Sequence, residues 1–189
     1  MRRLYLLNQK NRSDFNFIHI NKCGGTSITY GIGQKYKLHD IAIERRIYLG
    51  SKWEKAFNFS VVRNPYSRIV SLYNYQIKKK YTGQNSNLSL CDWLEKFFIQ
   101  DTGRKSLKWR MYLNQKSWTH FEERLLVDKY YKLENIYNDW DEIISKCKQS
   151  YRPLPKLNAT HRDRINLTGE EMHLINKVFE MTLKLSSIV

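Results

Sequence analysis

The chain has 189 residues, 41% of them hydrophobic and 14% aromatic: enough apolar mass for one packed domain and too much for a disordered segment. No window reaches the length of a membrane span, and the apolar run within residues 1–8 is too short for a secretory signal. Lysine and arginine number 33 against 18 acidic residues, and the net charge of +15 makes a field that draws polyanions of any kind.

The three cysteines, Cys23, Cys91 and Cys147, are odd in number and widely spaced. That suits a reducing compartment better than a disulfide framework, and the spacing does not suit zinc. A cytoplasmic protein with no bound metal is the expectation.

In chain order, the first element is a short apolar strand through Phe17-Ile18-His19-Ile20, followed by Asn21-Lys22-Cys23-Gly24-Gly25-Thr26-Ser27. The glycines let backbone approach a ligand, Thr26 and Ser27 open a helix that runs to about Gly31, and Lys22 stands beside the helix start. Amides at a helix N-terminus with a cation next to them form an anion site. The order Lys-x-Gly-Gly-Thr-Ser is not a nucleotide-binding Gly-x-x-x-x-Gly-Lys-[Ser/Thr] loop, because here the lysine precedes the glycines. Residues 41–49 read as a helix stopped by Gly50, and Phe57–Val62 as a second buried strand.

That strand ends in Arg63, and Pro65 suits the first turn of a helix to about Lys80. Ser71 lies about two helical turns beyond Arg63. Thr82–Asn87 is a polar loop, and Leu90–Ile99 a helix with Ser89 as N-cap and Asp92 three residues on. Residues 100–123 lack a clear period; Trp109, Tyr112 and Trp118 there could stack on sugar rings or fill a core. Leu126–Leu133 reads as a strand, Tyr137–Lys148 as a helix, Pro153 and Pro155 as an extended loop, and Thr168 with Glu171 as the capping box of a last helix. Strands alternating with helices predict one α/β domain over residues 1–189, with a central parallel sheet flanked by helices. Ligands of such sheets sit beyond the C-terminal strand ends, where both cations fall.

These residues resemble the sulfotransferases that use 3′-phosphoadenosine 5′-phosphosulfate (PAPS), especially the carbohydrate branch. Lys22-Cys23-Gly24-Gly25-Thr26-Ser27 is similar to the family's 5′-phosphosulfate loop. Val62-Arg63-Asn64-Pro65-Tyr66-Ser67-Arg68-Ile69-Val70-Ser71 is similar to its 3′-phosphate element. Tyr131-Lys132-Leu133-Glu134-Asn135 with Asp139-Trp140, and Leu154-Pro155-Lys156-Leu157-Asn158-Ala159-Thr160, resemble its later strand–helix unit and closing loop. The resemblance implies a P-loop-like sulfotransferase fold and PAPS as donor, without metal. It gives Lys22 the bridging oxygen and departing phosphate, the loop residues Cys23, Gly24, Gly25, Thr26 and Ser27 the phosphosulfate, and Arg63 and Ser71 the 3′-phosphate. The acceptor it implies is a hydroxyl, most often of a saccharide and possibly an anionic one.

Of the five histidines, His19 reads as a core residue and His173 as solvated. His120 and His161 are further competitors, and the resemblance favours His39 as general base, with Glu44 as fallback. Arg68 is equally a ligand contact or an ion-pair partner, and Cys23 a small loop residue. Two rival readings stay open. One is an ATP-dependent phosphotransferase that requires magnesium. The other is a polyanion- or nucleic-acid-binding module, supported by the Lys/Tyr run from Tyr73 to Tyr81 but leaving both strand–cation–helix units unexplained; nucleic acid is not the expected partner.

Overall fold

The computed structural model describes residues 14–34, 38–79, 88–155 and 166–185, with side chains through residue 180. In chain order the elements are β1 (Phe15–Ile18), α1 (Gly25–Gly31), α2 (Ala42–Leu49), α3 (Ser51–Lys55), β2 (Phe57–Val62) and α4 (Pro65–Lys78). There follow α5 (Leu90–Leu94), continued by a π-helical turn (Glu95–Ile99), and a 3₁₀ turn (Trp109–Tyr112). The remainder is α6 (Lys116–Thr119), β3 (His120–Phe121), β4 (Arg124–Leu125), β5 (Lys129–Lys132), a 3₁₀ turn (Leu133–Asn135), α7 (Trp140–Lys146) and α8 (Gly169–Leu185). The loop at 82–87, most of the closing loop (156–160) and His161 lie outside the described residues. The protein is thus α/β, and the chain divides into two compact units: Met1–Val62 with Gln115–Ala159, and Arg63–Asn114 with Thr160–Val189.

The first unit is built on a three-stranded parallel sheet in the order β1-β2-β5. Alternation along the strands sends Phe17, Phe59, Val61 and Tyr131 to one face. There they form a core with Ile28 and Ile32 around α1 and with Trp140, Ile143 and Ile144 of α7. Phe17 stacks on Phe59 at 5.0 Å, and each such fully buried side chain contributes about 1.5–3 kcal/mol. The opposite face buries polar groups. Asn16 and Asn58 face each other in the register, and Asn16 Nδ2 donates to Asn58 Oδ1 at 2.8 Å. Asn58 Nδ2 in turn donates to the carbonyls of Trp53 and Ala56, while Ser60 Oγ donates to the Ile18 carbonyl at 2.8 Å.

Strand β5 is shorter than its apolar run predicts. Leu126 and Val127 are buried, but the Asp128 carboxylate takes the Asn58 amide at 2.7 Å, so pairing begins only at Lys129. Helix α7 likewise begins at Trp140, because Asn138 and Asp139 turn back onto the Asn135 carbonyl.

In the second unit α4, α5 and α8 enclose Ile69, Leu72, Trp93, Leu94, Ile175 and Val178. Buried Gln76 accepts from both Trp93 Nε1 and Tyr112 Oη at 3.0 Å, which satisfies the polar tips of two core aromatics with one side chain. The predicted caps form: Ser89 Oγ accepts from Asp92 N at 3.1 Å, and Thr168 and Glu171 cap each other's amides at 2.8 and 3.2 Å.

Candidate active site

Beyond β1 the chain turns within residues 21–24. Lys22 has φ +69° and Gly24 φ +71°. The left-handed region costs a lysine roughly 1–2 kcal/mol and a glycine almost nothing, so Lys22 is held there by its surroundings. Helix α1 then starts on Gly24 as N-cap, with no side chain capping it. Ser27 and Ile28 both donate to the Gly24 carbonyl, at 3.0 and 3.3 Å. The Ser27 amide is thus engaged within the turn, and the positive end of the helix dipole lies at its start. Thr26 and Ser27 are half-buried in that turn, and Lys22 is half-buried before it.

Gly24 is favoured by its positive φ, and Gly25 is required by space. A Cβ on Gly24 would meet Leu133 Cδ1 at 2.5 Å, and one on Gly25 would overlap the His19 imidazole. The helix start therefore rests directly on the buried His19 ring. Cys23 is buried too; its thiol approaches Gln115 Oε1 at 3.3 Å and the Asn21 carbonyl at 3.7 Å. It is a packed, hydrogen-bonded loop residue rather than an exposed nucleophile.

The segment before α2 returns to this loop. His39 is exposed, and its Nδ1 lies 3.3 Å from the His19 carbonyl oxygen. Its ring tilts over that of His19 at 4.4 Å and meets the fully buried Trp118 edge-on at 6.4 Å. The neighbouring Asp40 is buried and pairs with Arg45 at 3.7 Å, and Arg45 Nη1 donates to the Phe17 carbonyl at 3.3 Å. A charge pair this deep is costly to break from one side, by about 3–5 kcal/mol, so it anchors the segment that carries His39 to β1. Glu44, the fallback base, accepts from the Ile41 amide at 3.2 Å and so caps α2.

Of the other histidines, His120 is half-buried with Nδ1 3.2 Å from the Lys116 carbonyl, and burial lowers its pKa. His173 is exposed on α8.

In the second unit, half-buried Arg63 is the first residue after β2. Asn64 caps α4 by accepting from Ser67 N at 3.1 Å, and Pro65 occupies the first turn. Ser71 is half-buried within α4. Arg68 is 3% exposed and donates to the Met111 carbonyl at 3.4 Å, a structural placement. Tyr112 is core, and Trp109 is covered by the Arg110 guanidinium at 4.5 Å.

Sequence reasoning missed the Asp40–Arg45 pair and the part played by His19. Neither has a local signal, because each contact closes only when the chain folds back. Among the described residues no group of three or more His, Cys, Asp or Glu could hold a metal, and no helix is long and apolar enough to cross a membrane. No protein-family model, curated protein or solved structure matches the chain.

Proposed function

We propose that this chain is a PAPS-dependent sulfotransferase with a P-loop-like sulfotransferase fold, acting on a hydroxyl of a saccharide. One observation carries the reading: β1 and β2 are adjacent parallel strands, and each runs into a cation followed by a helix. The reading gives the 5′-phosphosulfate to Lys22 and the first turn of α1. It gives the 3′-phosphate to Arg63 and Ser71 by resemblance. The acceptor oxygen attacks sulfur in line, the bond from sulfur to the bridging oxygen breaks, and adenosine 3′,5′-bisphosphate departs. His39 takes the acceptor proton, and Lys22 bears the charge that grows on the leaving phosphate. Protein cations are sufficient for that charge, so the reading needs no metal.

Calorimetry with adenosine 3′,5′-bisphosphate, AMP and ATP tests the donor, on the wild type and Arg63→Ala. Preference for the bisphosphate, reduced about 10- to 100-fold in the variant as expected for a charged hydrogen bond, supports the proposal. Equal binding of ATP without that preference overturns it in favour of a phosphotransferase. Salt-dependent binding of all three, indifferent to the substitution, favours a polyanion-binding module.

A further inference from the structure

An imidazole accepts a proton only at the nitrogen that carries none, and which nitrogen that is follows from the bond made by the other. His39 Nδ1 faces the His19 carbonyl oxygen at 3.3 Å. A carbonyl can only accept, so Nδ1 is the protonated nitrogen, and Nε2 of the neutral ring holds the lone pair.

The carbonyl that makes this choice is itself tightly placed. The His19 ring stacks on Phe17 at 5.6 Å with planes 14° apart. It carries the tilted His39 ring at 4.4 Å and fills the space a Cβ of Gly25 would need. The residue just before it, Ile18, belongs to β1 and accepts from Ser60 Oγ. The Lys22 turn begins two residues after His19. One buried residue thus touches the sheet, the start of the phosphosulfate loop's helix and the ring proposed as base.

We propose that His19 is a positioning residue for His39: its carbonyl selects the Nδ1–H tautomer, and its ring fixes the base against the loop that holds the leaving group. The catalytic consequence rests on the sulfotransferase reading, whereas the tautomer does not.

Two measurements on the full chain test this. In long-range proton–nitrogen correlation spectra of histidine-labelled protein, with His39 assigned through His39→Gln, neutral His39 should be the Nδ1–H form. An Nε2–H form, or rapid exchange between the two, overturns the proposal whatever the protein's activity. The second is a double-mutant cycle on sulfuryl transfer. His39→Ala should lower kcat about 10²-fold and His19→Ala about 10-fold or more, with the affinity of His19→Ala for adenosine 3′,5′-bisphosphate within about twofold of wild type, since the ring orders geometry rather than binding. The double variant should be no slower than His39→Ala alone, because a residue that acts through another has nothing left to act on. Losses that multiply would show His19 acting independently and sink the idea. If the wild type transfers no sulfuryl group, the functional reading fails, and the spectra still decide the tautomer.

Discussion

The two strand–cation–helix units look alike in sequence and are built differently. After β1 the helix is seven residues long, its N-cap is a glycine, and no side chain closes its first turn. After β2 the helix has 14 residues, opens with proline, and takes the Asn64 side chain as its cap. In each turn the third amide is engaged, Ser67 N by the Asn64 side chain and Ser27 N by the Gly24 carbonyl. What differs is the first residue: glycine opens the first helix and would let a ligand come close to backbone, with Lys22 as an added charge on the proposed reading. The second leaves recognition to a side chain, Arg63, whose planar guanidinium matches a phosphate on its own. On the proposed reading, the same local plan yields two anion elements with different tolerance: one sensitive to any Cβ, the other to the identity of one cation.

The largest effect should come from Lys22→Ala, which on the proposed reading removes the charge that meets the leaving group. Turnover should fall about 10²–10³-fold, and adenosine 3′,5′-bisphosphate, whose 5′-phosphate carries that charge in full, should bind about 10-fold or more weaker; unchanged turnover and binding would remove Lys22 from the site. Gly25→Ala comes next. Its methyl would fall on the buried His19 ring, and overpacking of this kind costs about 1–3 kcal/mol, readable as a lower Tm together with weakened bisphosphate binding. A neutral result would mean that α1 does not depend on close approach. In the second unit Asn64→Ala should cost only about 1 kcal/mol of stability, the worth of an N-cap, with bisphosphate affinity kept; lost affinity would show that the cap also serves the ligand.

The smallest effect belongs to the third strand. Lys129 donates to Glu142 at 2.7 and 2.9 Å, and chiefly through that bond holds its carboxyl below the ordinary 4.5. A folded pKa below the unfolded one contributes stability above about pH 4.5, and that stability disappears as pH falls through the folded value. Glu142→Gln should therefore slightly flatten the acid limb of a Tm–pH curve. The effect is small because both partners are 40–47% exposed.

Much of this was legible from short-range pattern. The strand Phe57–Val62 and the caps at Ser89 and Thr168 are set by alternation and by residues three apart, and they form as the sequence implies. Elements that depend on distant partners were not legible. The helix expected over Leu90–Ile99 widens into a π-helical turn at Glu95. There consecutive Phe97 and Phe98 both meet Tyr112, at 5.7 and 5.4 Å, whereas adjacent side chains of a regular helix point about 100° apart. Helix α3 was hidden behind Gly50, whose φ of +57° ends α2 but does not stop the chain restarting at Ser51. At the candidate site the contiguous Lys22–Ser27 loop could be read directly. The seat of His39 could not, since its partner lies 20 residues earlier, and Glu44 carried no mark that distinguished a base from a helix cap.

The buried asparagines of the sheet act as an index mark. Hydrophobic alternation repeats every two residues, so by itself it accepts a strand shifted by two as readily as one in place. Asn16 and Asn58 occur once each on their strands, and Asn16 Nδ2 reaches Asn58 Oδ1 when the two are directly opposed. Any slip would leave that donor and that acceptor unpaired in the interior, at about 1–3 kcal/mol each. Asn16 Oδ1 finds no partner among the described residues even in register, so the mark is kept at some cost to stability. What it fixes is the phase between β1 and β2, and with it the rung from which the Lys22 turn leaves the sheet.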